Sequence, residues 1–122
     1  MMTRPLRLLR LEGAVAAAVA LTAYFHYGHP WWLLVLLVLA PDLTFAGYAL
    51  GPRIGAAFYN AGHAYVAPLA LLAAGVLAPS SACVAIALIW IVHIGGDRAL
   101  AYGLKYPTAF KDTHLERLRQ TT

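Results

Sequence analysis

Four long apolar segments dominate the chain, and short breaks with turn residues separate them. About 20 mostly apolar residues are enough to cross a bilayer core of about 30 Å, and the segments at about 6–27, 31–50, 54–77 and 80–104 all reach that length. The breaks contain Gly28-His29-Pro30, Gly51-Pro52 and Pro79-Ser80-Ser81. Because these connections are short, successive helices must be antiparallel neighbours. The pattern predicts an all-α polytopic membrane protein, a single domain over 1–122 with four antiparallel transmembrane helices.

The composition excludes the soluble and disordered classes. Hydrophobic residues make up 61% of the 122 positions and charged residues only 11%, with a mean hydropathy of +0.68. A typical soluble domain is about half apolar and roughly a quarter charged, and a disordered chain is more polar still. The single cysteine excludes an internal disulfide framework and a cysteine-based zinc cluster.

The basic residues predict the orientation in the membrane. All nine precede the first span, lie in the second connection, or close and follow the fourth span: Arg4, Arg7, Arg10, Arg53, Arg98, Lys105, Lys111, Arg117 and Arg119. Four spans place all of them on one side, which the positive-inside rule identifies as cytoplasmic. We therefore expect a multi-pass protein of the inner (plasma) membrane with both termini in the cytoplasm. The net charge of +4 is then an orientation signal, and no nucleic-acid partner is expected.

The two ends of the chain carry further signals. A basic start followed by an apolar run resembles a cleaved signal peptide, but Glu12 and the lack of a polar cleavage region favour a retained first span. The tail 105–122 is expected to be cytoplasmic. Within it, Thr113 and Glu116 have the spacing of a capping box, which predicts a short helix on the membrane interface. His114 would then lie near the polar layer described next.

Polar residues inside the spans are candidates for function, because a central charge costs about 3 kcal/mol there and is retained only when paired. The candidates are Glu12, Asp42, Asn60, His63, His93, Asp97 and Arg98. At about 1.5 Å per residue, the five Glu, Asp and His positions lie about 9 to 16 Å from the cytoplasmic ends of their spans. Every span therefore contributes an ionisable group to one layer between the midplane and the cytoplasmic face.

Helical spacing brings these residues closer together. Asn60 and His63 are three residues apart, and His93 and Asp97 are four apart, so each pair shares a helix face. Pro41 cannot donate a backbone hydrogen bond, so the second helix should kink beside Asp42. Pro68 should kink the third helix near His63 for the same reason.

A metal site is one interpretation of this layer. Asp42, His63, His93 and Asp97 would be the metal ligands, since imidazole and carboxylate groups suit Zn²⁺, Fe²⁺ or Mn²⁺. A bound ion could activate water to hydrolyse a lipid-borne ester. In that case Glu12 would be the general base and Asn60 would orient a ligand or the substrate. Arg53 or Arg98 would hold an anionic head group at the cavity mouth.

Two other interpretations stay open. The polar groups could only fix helix packing in a structural or accessory membrane subunit, with the carboxylates paired to Arg53 and Arg98. Alternatively, His63 and His93 lie at matching depth and could bind a haem between them. The expected partners are the lipid bilayer and either further copies of the chain or a membrane complex, but no residue sets the number of copies.

Several motifs resemble a known family. They are Leu8-Leu9-Arg10-Leu11-Glu12-Gly13, Ala40-Pro41-Asp42-Leu43, Tyr59-Asn60 with His63 and Tyr65, His93-Ile94-Gly95-Gly96-Asp97-Arg98, Tyr102-Gly103-Leu104-Lys105-Tyr106 and Phe110-Lys111-Asp112-Thr113-His114-Leu115. Together they resemble domain-of-unknown-function family 4260, a group of small bacterial membrane proteins. The resemblance implies four membrane helices and no particular activity.

A weaker likeness is to the LexA-regulated membrane-bound metal-dependent hydrolases, which also carry a Pro-Asp pair and membrane-embedded histidines. Pro41-Asp42 matches that pair, but the Asp-His that follows it in those hydrolases is absent from this sequence.

Overall fold

The computed structural model describes residues 4–104 and 113–120, and every regular element in these two ranges is a helix. The elements are α1 (Arg4–His26), α2 (Trp31–Leu37), the 3₁₀ helix η1 (Ala40–Leu50), α3 (Pro52–His63), α4 (Val66–Leu77), α5 (Ser81–Ala99) and α6 (His114–Gln120). The motif residues at 105–112 lie outside the described ranges.

Four helical stretches are long and apolar enough to cross a membrane: Pro5–His26, Trp31–Leu50, Pro52–Leu77 and Ser81–Ala99. The all-α fold with four membrane-spanning helices, predicted from the apolar pattern, is confirmed. The short C-terminal helix begins at His114, directly after Thr113, whose hydroxyl accepts a hydrogen bond from the Glu116 N–H at 3.0 Å. This is one of the two hydrogen bonds of a capping box.

The fourth span ends at Ala99 and not near residue 104 as the sequence suggested. Ala101 adopts a left-handed conformation with φ of 68°. The Tyr102 N–H donates to the Asp97 carbonyl at 2.7 Å, and the Ala101 N–H donates to the Arg98 carbonyl at 3.0 Å. These two bonds form a Schellman motif, which closes the helix although the residues that follow are apolar.

The second span is broken between α2 and η1. Pro41 has no N–H, and the Asp42 N–H donates to the Leu39 carbonyl at 3.0 Å, three residues back, as in a 3₁₀ helix. The Val38 carbonyl is consequently left without its α-helical partner. The kink predicted at Pro41 is therefore a change of helix type.

The third span is broken between α3 and α4. Ala64 is extended, with φ of −101° and ψ of 149°, so α3 ends at His63. Pro68, one turn further on, cannot donate to the Ala64 carbonyl. The break leaves the carbonyls of Gly62 and His63 at an open helix end.

Helix α5 occupies the centre of the molecule, where it contacts α1, α2 and α4, whereas α3 packs against η1. The core around α5 includes Tyr24 from α1 and Leu88 and Ile89 from α5 itself. The helices α1 and α5 cross closely at Gly13 and Gly95: a Cβ added to Gly95 would lie 2.5 Å from the Gly13 carbonyl oxygen. Small residues at a crossing allow this approach.

Candidate metal centre

Four ionisable side chains converge where the broken spans face α5. Asp42 comes from the start of η1, His63 from the last residue of α3, and His93 and Asp97 from one face of α5. One ligand atom from each residue lies within 4.8 Å of the other three. These are the four residues that the sequence suggested as metal ligands, and we call them the His/Asp cluster.

The contacts within the His/Asp cluster are short. The two Nε2 atoms of His63 and His93 lie 3.0 Å apart. Oδ1 of Asp42 lies 3.1 Å from each of them. Oδ2 of Asp97 lies 3.5 Å from His63 Nε2 and 3.2 Å from His93 Nε2.

Backbone carbonyls determine which nitrogen of each imidazole carries the proton and which nitrogen faces the cluster. Nδ1 of His63 lies 2.9 Å from the Tyr59 carbonyl oxygen, and Nδ1 of His93 lies 2.6 Å from the Val38 carbonyl oxygen. A carbonyl oxygen only accepts hydrogen bonds, so both Nδ1 atoms must carry the proton. In the neutral imidazoles both Nε2 atoms then present lone pairs to the cluster.

The inward-facing atoms of the cluster are therefore two imidazole lone pairs and two carboxylate oxygens, all of which are acceptors. Acceptors at about 3 Å from one another repel unless a cation lies between them. Either protons or a metal ion can supply that positive charge. The Nδ1–H to carbonyl hydrogen bonds are the outer-shell contacts that orient histidines bound to metals.

The separations fit a single small metal ion better than a haem. With metal–ligand bonds of about 2.1 Å, neighbouring ligand atoms lie about 3.0 Å apart in octahedral geometry and about 3.4 Å apart in tetrahedral geometry. Five of the six separations between these four ligand atoms are 3.0 to 3.5 Å, and all six are within 4.8 Å. Two axial nitrogens of a haem would be about 4 Å apart with the macrocycle between them, whereas the two Nε2 atoms are only 3.0 Å apart.

Burial divides the cluster into a closed side and an open side. The side chains of His63 and His93 are 0% and 5% exposed, whereas Asp97 is 19% and Asp42 is 38% exposed. The imidazoles therefore form the closed side of the cluster, and a ligand would approach from the side of Asp42.

Side chains of α5 bind the carbonyls that the two helix breaks expose. His93 Nδ1 donates to Val38, as described above, and Trp90 Nε1 donates to the Gly62 carbonyl at 2.6 Å. The Arg98 guanidinium donates to the His63 carbonyl at 2.5 Å and to the Tyr102 carbonyl at 2.7 Å. These bonds stabilise the open helix ends beside the cluster, since unpaired backbone groups are costly in an apolar interior.

The sequence did not identify Trp90 or Tyr59 as site residues. The Tyr59 ring stacks on the His63 imidazole with centroids 3.8 Å apart and planes at 8°, and Trp90 holds the residue before His63 through its carbonyl. A signal for Trp90 did exist, because each proline inside a span frees backbone carbonyls that need donors from a neighbouring helix.

The remaining predicted site residues lie outside the cluster. Glu12 is exposed on α1 and lines a cavity of about 340 Å³ with Arg98 and Tyr65. Asn60 is half-buried one turn before His63, and Arg53 is exposed in the first turn of α3. Arg98 is buried and bound to two carbonyls, an arrangement that holds backbone in place.

His114 is held by the backbone of the segment that follows α5. Its Nδ1 accepts a hydrogen bond from the Leu104 N–H at 2.8 Å. Burial, and to a lesser extent the charge of Arg98, lower the pKa of His114 below its ordinary value. The lowered pKa favours the neutral ring, which is the form whose Nδ1 can accept this hydrogen bond.

Four helical stretches are long and apolar enough to cross a membrane, and they surround the His/Asp cluster. The protein is therefore a polytopic helical membrane protein. The chain belongs to the family Domain of unknown function (DUF4260), which matches residues 6–118. The family resemblance seen in the sequence is thereby confirmed, while the likeness to membrane-bound hydrolases stays a prediction. Comparisons with curated proteins and with solved structures found no match.

Proposed function

We propose that Asp42, His63, His93 and Asp97 bind one divalent transition-metal ion, and that the protein is a metal-dependent hydrolase of the membrane. The observation that carries the proposal is the convergence of four acceptor atoms while both Nδ1 atoms donate to backbone carbonyls. Two nitrogen and two oxygen ligands suit Zn²⁺, Fe²⁺ or Mn²⁺.

The environment of the cluster supports a catalytic role over a purely structural one. The carboxylates face the imidazoles, and Arg98 donates to carbonyls, so the carboxylate–arginine pairing expected of a packing network is not what these groups form. Asp42 also leaves one side of the cluster open. A structural metal site is usually closed, whereas a catalytic site keeps an open position.

The proposed reaction is hydrolysis of an ester or phosphoester. Water supplies its hydroxyl to the acyl carbon or phosphorus, the bond to the leaving alcohol breaks, and the alcohol takes up the proton. A divalent ion supplies Lewis acidity for such a step. His63 and His93 would hold the ion on the closed side of the site. Glu12 as general base, Asn60 as an orienting residue and Arg53 as a head-group contact remain predictions from the sequence.

The test is the metal content of the protein purified in detergent. Apoprotein is incubated separately with Zn²⁺, Mn²⁺ or anaerobic Fe²⁺, desalted, and measured by elemental analysis. We expect about one equivalent of at least one metal in the wild type. His63→Gln and His93→Gln should each lower its affinity at least about 100-fold, because each removes a ligand. His26→Gln, at an exposed position on α1, is the matched control and should bind like the wild type.

Thermal unfolding provides the second readout for the same variants. A metal held at 100 times its dissociation constant stabilises the native state by about 2.7 kcal/mol. That increment should be present in the wild type and His26→Gln and absent in His63→Gln. Wild-type protein that binds none of the three metals and is not stabilised by them would contradict the proposal and favour a protonated packing network.

We further propose that the protein resides in the inner (plasma) membrane of a bacterium with both termini in the cytoplasm. The distribution of the nine basic residues supports this orientation. The open side of the metal centre would then lie between the bilayer midplane and the cytoplasmic surface.

A further inference from the structure

An apolar cavity of about 370 Å³ is lined by residues that adjoin members of the His/Asp cluster along the chain, and its walls include Leu37, Pro41, Gly62, Ile86, Ile89 and Trp90. Pro41 precedes Asp42, Gly62 precedes His63, and Ile89 lies one turn before His93. Three of the four cluster residues are thus neighbours of the cavity wall. The volume falls within the range of small-molecule sites, about 300 to 1,000 Å³.

The two polar side chains in this wall, Trp90 and Thr44, are already hydrogen-bonded within the protein. The Trp90 N–H donates to the Gly62 carbonyl, and the Thr44 hydroxyl, also in the wall, donates to the Pro41 carbonyl at 2.7 Å. The wall therefore presents a hydrocarbon surface to an occupant. Water would find few partners there, so an apolar group is the favoured occupant.

The cavity lies towards the centre of the span from the cluster. Ile86, Ile89 and Trp90 are on the Ser81 side of His93, whereas Asp97 is on the opposite side. At about 1.5 Å per residue, Ile86 lies about 10 Å along α5 from His93. Ile89 and Trp90 lie midway between Ser81 and Ala99, which in a bilayer is close to the middle of the hydrocarbon core, where lipid chains end.

We infer that the cavity binds one alkyl chain of a membrane lipid whose ester or phosphoester group lies at the metal centre. The inference rests on the proposed function and names its substrate class: an amphiphile that enters from the bilayer, with its chain beside Trp90 and its polar group at the open side near Asp42. The chain site recognises hydrocarbon, and the metal site recognises the oxygens of the head group.

Fluorescence of Trp90 provides the test in the full-length chain. Trp31→Phe and Trp32→Phe, both at exposed positions, leave Trp90 as the only tryptophan. This protein is placed in phosphatidylcholine vesicles and titrated with a small fraction of a single-chain alkyl phosphate that carries bromines in mid-chain. The matched probe is the alcohol with the same brominated chain. Bromine quenches the indole only when the chain lies next to it.

The test variant is Ile86→Phe, whose larger side chain fills the cavity from its wall. The matched control is Val76→Phe, because Val76 is exposed on α4 and does not line the cavity. We expect half-quenching of Trp90 at a probe fraction about tenfold lower in the Val76→Phe protein than in Ile86→Phe. With the metal bound, the phosphate should quench at a lower fraction than the alcohol, and a chelator should remove that difference.

The outcomes separate this inference from the proposed function. Equal quenching in the two variants overturns the chain site, whatever the metal assay finds. Equal quenching by phosphate and alcohol in metal-loaded protein overturns the placement of the head group. A protein that binds no metal but still loses preferential quenching on Ile86→Phe overturns the proposed hydrolase and supports the chain site.

Discussion

His63 and His93 differ from His114 in the bonds of their Nδ1 atoms. Both Nδ1 atoms donate to backbone carbonyls, so the Nε2 lone pairs are directed at the carboxylates. In His114 the roles are reversed, because Nδ1 accepts a backbone N–H. The same side chain therefore presents a lone pair to the proposed metal centre in His63 and His93, and accepts a backbone N–H in His114.

The contact of His114 predicts a dependence of stability on pH. The folded protein lowers the pKa of His114, so the unfolded chain binds a proton first as the pH falls. The stabilisation by the neutral ring is complete above the unfolded pKa of about 6.5 and is lost as the pH falls through the folded pKa. His114→Asn can keep an amide oxygen near the Leu104 N–H but cannot titrate.

The measurement is thermal unfolding of both proteins between pH 8 and pH 5. The wild type should lose about 1 kcal/mol relative to His114→Asn as the pH decreases, the value of one hydrogen bond. Superimposable pH profiles for the two proteins would show that the contact with Leu104 does not couple protonation to folding.

At the residue scale, depth and spacing predicted which groups would meet, but not all of their contacts. His93 and Asp97 share a helix face at any rotation of α5, and the prolines locate Asp42 and His63 at helix breaks. Glu12 has a similar depth, yet depth does not determine how a helix is rotated about its axis. Whether the Trp90 N–H can donate to a carbonyl depends on the rotation of α5 in the same way.

At the scale of elements, the two broken spans form the cluster because their breaks lie opposite α5. An unbroken α-helix would carry the carbonyls of Val38, Gly62 and His63 in its own hydrogen-bond ladder. The breaks make them available to His93, Trp90 and Arg98 instead. Interrupted helices in membranes occur where the freed backbone is buried in protein or lines a cavity, and here they adjoin the proposed metal centre.

The end of α5 predicts a stabilising substitution. Ala101 has a left-handed backbone conformation that favours glycine. Ala101→Gly should therefore raise the free energy of unfolding by about 0.5–1 kcal/mol, which thermal or chemical unfolding in detergent can measure. Ala99→Gly makes the same change inside the helix and should destabilise by about 0.5–1 kcal/mol. Equal effects of the two substitutions would contradict the assignment of this cap.

The sequence predicted the elements to within a few residues where composition changes sharply and less well elsewhere. Gly28 and Pro30, and likewise Gly51 and Pro52, mark the ends of the first two connections clearly. The fourth span was predicted too long because apolar residues continue past Ala99, and the Schellman motif depends on a left-handed alanine that composition does not reveal. The two prolines indicated kinks, but the 3₁₀ form of η1 was not predicted.

At the scale of the whole molecule, the orientation in the membrane can be tested with single cysteines. One is placed at the end of α1 and the other in α6, which should lie on opposite sides of the membrane. In a Cys83→Ala background, which removes the only native cysteine, we introduce His26→Cys or Arg117→Cys at exposed positions. A membrane-impermeant maleimide should label His26→Cys on intact spheroplasts. Arg117→Cys should react only after the membrane is permeabilised, because the positive-inside rule places it in the cytoplasm.

Labelling of Arg117→Cys on intact spheroplasts would contradict the proposed orientation. A detergent-solubilised sample, in which both positions should react, controls for cysteines that are merely inaccessible within the fold.

The dependence of the two broken spans on α5 has a consequence for biogenesis. During synthesis the second and third spans reach the translocon before His93, Trp90 and Arg98, whose side chains donate to the freed carbonyls, have been made. The nascent protein must therefore keep these backbone groups hydrated or shielded until the last span arrives. Completion of the chain, rather than insertion of its first helices, is then the event that commits the protein to its final arrangement.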